Sequence, residues 1–240
     1  MGKIRIGTSG WHYKHWVGTF YPVGTSPAKM LDFYVRHFDT VEINNSFYRL
    51  PSEETFTAWR DATPKKFCFA VKGSRFITHN KKLKDPEPAL ERLMPPVEAL
   101  NDKLGPILFQ LPPQWQVNVE RLESFLQVLP PYHRYAFEFR NASWAVKDVY
   151  QTLHRYNAAW CIFHIAGVKS PPEITADFTY IRLHGPGGKY QGSYSDDDLR
   201  DWAGLLRTWR KKLRASFVYF DNDDSGYAPH DALRLREFVG

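Results

Sequence analysis

The 240-residue sequence predicts a single α/β domain, residues 1–240, folded as a (β/α)8 barrel of the TIM type. Short apolar segments alternate with amphipathic helical ones, which is typical of βαβ units in a parallel sheet. Eight strand segments occur, and no linker rich in Pro, Gly or Ser divides them. An open doubly wound sheet is the alternative. Such a sheet often has a glycine-rich phosphate-binding turn after its first strand. The corresponding segment here is GTSGWHYKHWVG, whose glycine spacing differs from that of the phosphate-binding turn.

Each strand is predicted from a short apolar run rich in β-branched or aromatic residues. In chain order the predicted strands are residues 4–9, 40–44, 67–72, 107–111, 135–140, 159–164, 179–184 and 217–222. Amphipathic segments predict helices at residues 27–38, 53–62, 86–103, 119–129, 146–156, 196–213 and 230–238. The stretch 166–177 is Pro-rich and poorly helical, so the helix after the sixth strand is expected to be short or missing.

Side-chain alternation predicts a polar mouth. Successive residues of a barrel strand point alternately to the surrounding helices and to the barrel interior. In the second, third, fifth and seventh strands, the residues of one of these two alternating sets are large and apolar, which suits packing against helices. The other set is small or polar, and its polar members recur at the C-terminal ends, where barrel enzymes have their active sites. The residues expected inside this mouth are Ser9, Glu42, Asn44, Lys72, Gln110, Glu138, Arg140, Arg182 and His184, with Asp221, Asn222 and Asp223 ending the eighth strand.

These residues favour an anion-binding site with hydrolase-type chemistry. Lysine and arginine donors that converge on one point suit a phosphate or carboxylate group. The candidate catalytic residues, which would move protons, are Glu42, Glu138 and His184. The candidate ligand-binding residues are Trp11, Asn44, Tyr48, Arg49, Lys72, His79, Gln110, Arg140, Arg182, Tyr190 and Asn222.

Other interpretations of the same charges remain open. Buried ions are stable only when paired, so the cluster is alternatively a structural ion-pair network in a non-catalytic barrel. A glycosidase pair, Glu42 and Glu138, is disfavoured because the second and fifth strands lie far apart around a barrel. A metal site would use Glu42, Glu138, His184, His79 and Asp221, but no compact motif marks one and no metal ligand is assigned.

Three loops are expected to frame the mouth. The loop at residues 10–26 is long and aromatic, which fits either a lid or a plug. The loop after the third strand is basic between Arg75 and Lys84. Together these two loops predict, as an alternative function, a protein that binds or processes nucleic acid. The loop after the seventh strand, HGPGGKYQGSY, is glycine-rich, so its backbone is able to approach a ligand closely.

Composition sets broad limits. The net charge of +6 modestly favours an anionic partner. Cys68 and Cys161 lie in apolar runs and are expected to be buried thiols in a reducing compartment. The chain opens on a strand-like segment rather than a signal peptide, and no apolar run is long enough to span a membrane. A cytoplasmic protein without membrane association is therefore expected, with its cofactors and oligomeric state left open.

The motifs GTSGWHYKHWVGTFYP, TVEINNSFYRLPS, FAVKGSRFITH, KLGPILFQLPP, YAFEFRNASW, TYIRLHGP and VYFDND resemble the domain-of-unknown-function 72 family, the YecE-like proteins. The resemblance runs nearly end to end and implies a TIM-type barrel without an established activity. Besides the residues above, it points to Phe47 and Trp144. The chain departs from the family at Asp221 and Asp231, where the family more often has Asn. These changes imply added negative charge near the site, which favours a metal or cationic group over a bare phosphate.

Overall fold

The computed structural model describes residues 1–240 as a barrel of eight parallel strands surrounded by helices. The strands are β1 (Lys3–Thr8), β2 (Thr40–Ile43), β3 (Cys68–Lys72), β4 (Leu104–Leu111), β5 (Tyr135–Phe139), β6 (Ala159–Ile165), β7 (Phe178–Leu183) and β8 (Ala215–Phe220). From β2 onward each strand pairs with the next along the chain, and β8 pairs with β1 in parallel register. The predicted fold class is confirmed.

Seven helices lie outside the barrel: α1 (Pro27–His37), α2 (Glu53–Asp61), α3 (Glu87–Glu98), α4 (Val119–Val128), α5 (Lys147–Arg155), α6 (Asp196–Arg210) and α7 (Tyr227–Val239). No helix follows β6. Instead, the chain turns back at once, and the two-residue strand Val168–Lys169 pairs antiparallel with the end of β6. The expectation of a short or missing sixth helix is confirmed.

Several predicted element bounds differ from the structure, and the largest difference is at the end of α3. Helix α3 ends at Glu98 rather than at residue 103, because Asn101 takes a positive φ of 49° that an α-helix does not accommodate. Strand β4 then begins at Leu104 rather than at residue 107. Its second residue is Gly105, and a Cβ there would lie 2.6 Å from the Cys68 sulfur, so glycine permits the close approach of β4 to β3.

The barrel closes between β1 and β2 through a side chain rather than through a full ladder. One parallel bridge joins Ser9 to Glu42, and lower down the hydroxyl of Tyr34 lies between the strands. This hydroxyl accepts a hydrogen bond from the Thr8 N–H at 3.0 Å and donates to the Thr40 carbonyl at 3.1 Å. Tyr34 therefore satisfies backbone groups that a neighbouring strand would otherwise pair.

The interior has an apolar lower part and a polar upper layer, as the alternation predicted. The apolar part consists of Cys68, Ala70, Leu108, Ala136, Ala159, Cys161, Phe178, Tyr180, Ala215, Phe217 and Tyr219. The large residues of the opposite parity pack against the helices. Both cysteines are buried free thiols. No helix combines the length and apolarity that a membrane crossing requires.

Replacement of Tyr34 by phenylalanine is expected to lower the free energy of unfolding by about 1–3 kcal/mol, because the Thr8 N–H loses its acceptor inside the barrel wall. Urea unfolding measures the change. Tyr132→Phe is the control, since that hydroxyl is exposed and makes one long hydrogen bond to Glu98 at 3.3 Å. Equal stability of the two variants would contradict the role of Tyr34 in closing the barrel.

Candidate functional site

The guanidinium group of Arg182 is fully buried at the centre of the polar layer. Its Nη2 lies 2.7 Å from Glu42 Oε1 and 3.1 Å from Asp221 Oδ2, and its Nη1 lies 2.8 Å from Glu138 Oε2. Its Nε donates to Glu42 Oε2 at 3.0 Å. One side chain of β7 therefore joins the carboxylates of β2, β5 and the segment after β8.

Glu42 is held by neutral donors as well. The Ser9 hydroxyl donates to Oε1 at 2.8 Å, and the Tyr180 hydroxyl donates to Oε2 at 2.6 Å. Burial and the neighbouring Glu42 carboxylate hold the pKa of Tyr180 well above its usual value, so this hydroxyl remains a donor. Tyr180 was not among the predicted site residues, although it precedes Arg182 by two positions and therefore shares its face of β7.

Arg140 and His184 extend the network from Glu138. Arg140 Nε donates to Glu138, and its Nη2 lies 2.9 Å from His184 Nε2. A guanidinium group only donates, so Nε2 accepts and His184 carries a proton on Nδ1, which lies 3.0 Å from Asp221 Oδ2. Burial alone would raise the pKa of Glu138, but the charges of Arg140 and Arg182 hold it well below its usual value.

A cavity of about 380 Å³ opens above this network at the C-terminal mouth. Its walls are Tyr13, Asn44, Tyr48, Lys72, Tyr190, Asp221 and Asp223. Glu42, Glu138 and His184, predicted to be catalytic, are fully buried and do not belong to these walls. Asp221 belongs to both the network and the cavity, and the same alternation that selected Arg182 places it inside the barrel.

Lys72 is the one cation among these walls. Its Nζ has no carboxylate oxygen within 4.0 Å, and its neighbour is the ring of Phe47, whose centroid is 4.4 Å away. Burial, together with the charge of Arg182, lowers the pKa of Lys72 to about 8. The side chain is only 9% exposed, so Lys72 is a buried amine without a counter-ion.

The aromatic first loop packs onto the barrel as a plug. Trp16, Phe20 and Tyr21 are buried, and the Trp16 indole donates to the carboxylate of Asp223. Nε2 of His15 lies 3.0 Å from Asp223 Oδ2. Burial raises the pKa of Asp223 to about 6, although these donors oppose the shift. Of the open alternatives, lid or plug, the packing fits the plug.

Ten of the eleven predicted ligand-binding residues divide into three groups. Asn44, Tyr48, Lys72 and Tyr190 line the cavity. Arg140, Arg182 and Gln110 belong to the polar layer, and the buried Gln110 Oε1 and Asn44 Oδ1 have no hydrogen-bond partner. The others lie outside: Trp11 packs edge-on against Trp59 at 5.0 Å, Arg49 is exposed, and His79 packs against Phe47 at 5.1 Å.

Asn222 lies behind the cavity wall. Its Nδ2 donates to the Gly192 carbonyl and to Asp231, each at 2.8 Å. Asp231 also pairs with Arg234 at 2.9 Å. The expectation that Asp231 adds negative charge near the site is therefore wrong, because Arg234 neutralises it within the wall. No three His, Cys, Asp or Glu side chains are grouped in a way that could hold a metal ion.

Comparisons with known proteins give a consistent result. The model of a family described as "Protein of unknown function DUF72" matches residues 5–240. UPF0759 protein YunF of Bacillus subtilis is 27% identical over 272 residues, covering 98% of this chain and 94% of its own. UPF0759 protein YecE of Escherichia coli K12 is 30% identical over 154 residues, covering 63% of this chain and 54% of its own.

Solved structures are similar as well. The crystal structure of a DUF72 family protein from Thermotoga maritima has a TM-score of 0.89 and 27% identity, and the match covers 99% of both chains. A DUF72 family protein from Enterococcus faecalis has a TM-score of 0.78 and 21% identity, with coverage of 98% and 95%, and this likeness shows the fold alone.

Replacement of Lys72 by methionine is expected to raise the free energy of unfolding at pH 7 by about 1–3 kcal/mol, since it removes an unneutralised buried charge. The folded-state pKa is lowered, so the unfolded chain binds more protons between pH 8 and 10.5, and the wild-type protein gains stability there. The difference in the free energy of unfolding between the Lys72→Met and wild-type proteins should therefore become smaller from pH 8 to pH 10.5. Denaturant unfolding at a series of pH values measures it.

Lys103→Met is the matched control. Lys103 is also buried, but its Nζ donates to the Thr63 carbonyl at 2.6 Å and to the carbonyl of Arg60. Its loss is expected to destabilise the protein by about 1–3 kcal/mol. A destabilised Lys72→Met protein would show that Lys72 is a structural cation like Lys103.

Replacement of Arg182 by methionine is expected to cost about 3–5 kcal/mol, because the carboxylates of Glu42 and Glu138 are left buried without their cation. Arg214→Met is the control, because its ion pair with Asp177 is exposed and is expected to contribute less than about 1 kcal/mol. Urea unfolding distinguishes the two, and similar small losses would contradict the central position of Arg182.

Proposed function

Because this chain belongs to the DUF72 family, described only as a protein of unknown function, we propose its function from the site: the mouth binds a small molecule with a carboxylate or phosphate group and catalyses proton-transfer chemistry on it. A hydrolase-type reaction is the form of this chemistry that the sequence predicted. The proposal concerns the cavity of about 380 Å³ at the C-terminal ends of the strands, where barrel enzymes act.

The observation that supports this proposal is the missing counter-ion of Lys72. Arg140 and Arg182 each contact a carboxylate directly, so their charges are satisfied within the protein. Lys72 has no such partner and faces the cavity. An anionic group on a ligand would neutralise the amine and supply the hydrogen bonds that it lacks. The interpretation of the charges as a structural network accounts for Arg182 but leaves Lys72 unexplained.

The remaining walls suit a small polar molecule. Tyr13, Tyr48 and Tyr190 offer aromatic faces with hydroxyl groups. Asn44 contributes a buried amide oxygen that has no hydrogen-bond partner, which a hydroxyl or amine of the ligand would satisfy. A few polar groups among aromatic walls are typical of small-molecule pockets of this volume.

Proton transfer in this proposal belongs to the groups that line the cavity. The pKa of Asp223 is about 6 and that of Lys72 about 8, so both exchange protons near neutral pH. Glu42, Glu138 and His184, predicted from sequence to be catalytic, take positioning roles here. They hold Arg182 and Asp221 beneath the ligand.

Calorimetric titration with inorganic phosphate, acetate, lactate and pyruvate tests the proposal. At least one of these anions is expected to bind at pH 7, and Lys72→Met should weaken it by about tenfold to a hundredfold, the worth of one charged hydrogen bond. Affinity should also fall as the pH rises through about 8, because Lys72 loses its charge.

Lys189→Met removes an exposed lysine of the loop after β7 and is the control, which should bind as the wild-type protein does. Equal affinity of the wild-type and Lys72→Met proteins would contradict the proposed site. Binding that vanishes on replacement of Lys81 and Lys82 instead would favour the basic loop and the nucleic-acid alternative.

A further inference from the structure

The Lys72 side chain is presented to the cavity from a rigid strand end. β3 pairs with β4 at this residue, and the Ser46 hydroxyl donates to the Lys72 carbonyl at 2.6 Å. Its Nζ has the Phe47 ring on one side and no hydrogen-bond acceptor or carboxylate in contact. When the amine is deprotonated its lone pair is therefore free to react, and no carboxylate fixes it as an ammonium ion.

Charged groups from β2, β5, β7 and the segment after β8 act on this amine. Glu42, Glu138 and Asp221 favour its protonated form, whereas Arg182 and burial oppose it. Burial lowers the pKa of His79, in the segment after β3, and the charges of Arg75 and Lys72 lower it further. Because the pKa of Lys72 is about 8, a fraction of the amine is neutral and nucleophilic near physiological pH.

We propose that Lys72 forms an imine with the carbonyl group of a small 2-oxo acid bound in the mouth cavity. The inference rests on the proposed function, since the carboxylate of a 2-oxo acid is an anionic group of the kind that protonated Lys72 attracts. Its carbonyl carbon is bonded directly to that carboxylate. The attraction therefore brings the reacting carbon beside the nitrogen, which attacks after the ammonium group has lost its proton to water.

The chemistry balances without an oxidant or reductant. The lone pair of the neutral amine bonds to the carbonyl carbon, and the π electrons of the C=O bond move to oxygen. A proton passes from nitrogen to that oxygen, which gives a carbinolamine. An acid then donates a second proton to the hydroxyl, which leaves as water while nitrogen forms the C=N bond. Asp223 in the same cavity is that acid, since burial raises its pKa to about 6.

Reductive trapping tests the proposal. The protein is incubated with pyruvate and sodium cyanoborohydride near neutral pH, which reduces an iminium ion to a stable secondary amine, and the modified residue is located by peptide mass spectrometry. The adduct is expected on Lys72 at about tenfold higher yield than on any other lysine, because a free, partly neutral amine reacts faster than an ammonium ion.

Two variants test whether the adduct belongs to the cavity lysine. Lys72→Arg lacks the amine and should yield no adduct at that position, while trapping on the other lysines should stay at the wild-type level. Lys189→Met changes an exposed lysine of the loop after β7, and this variant should give the same yield of the Lys72 adduct as the wild-type protein.

The outcomes distinguish the two proposals. Calorimetric binding of lactate and pyruvate without an adduct on Lys72 would overturn the imine and leave the proposed function standing. Adducts spread evenly over exposed lysines would also overturn it. Failure of every tested anion to bind would overturn the proposed function and remove the basis of the imine with it.

Discussion

A guanidinium group sealed from water has to be neutralised where it lies, and Arg182 imposes this condition on the upper half of the barrel. Its partners come from β2, β5 and the segment after β8, so the network fixes the relative positions of strands that are far apart in sequence. Removing two ions from water costs several kcal/mol each, and only close, well-formed pairing offsets that cost. The geometry of the cavity floor follows from this constraint.

The same network explains why Lys72 stands apart. Arg140 and Arg182 take up the carboxylates that could have neutralised the amine, and the charge of Arg182 lowers its pKa further. A protein selected only for stability would gain by replacing such a residue. An unneutralised amine beside a cavity is instead the arrangement that binding an anion, or attack on a carbonyl group, requires.

The closure of the barrel and the construction of the site are linked at Ser9. This residue forms the parallel bridge between β1 and β2, and its hydroxyl donates to Glu42 at 2.8 Å. The first loop continues from there, and its Trp16 contacts Asp223, which follows the neighbouring strand β8. The aromatic plug therefore buries the carboxylate whose pKa is raised, and packing of the loop sets the chemistry of that wall.

Local pattern alone determined the order of strands and helices, the absent helix after β6 and the inward direction of Glu42, Lys72 and Arg182, because these depend on periodicity and strand alternation. From the sequence alone, Asn222 was assigned to the site and Tyr180 was omitted. Strand alternation already places Tyr180 on the inward face with Arg182, and Asn222 on the opposite face from Asp221. Tertiary structure alone decided which charges pair. Ion pairing depends on distances between strands remote in sequence, so only the folded barrel leaves Lys72 without a counter-ion and places Glu138 beneath the cavity.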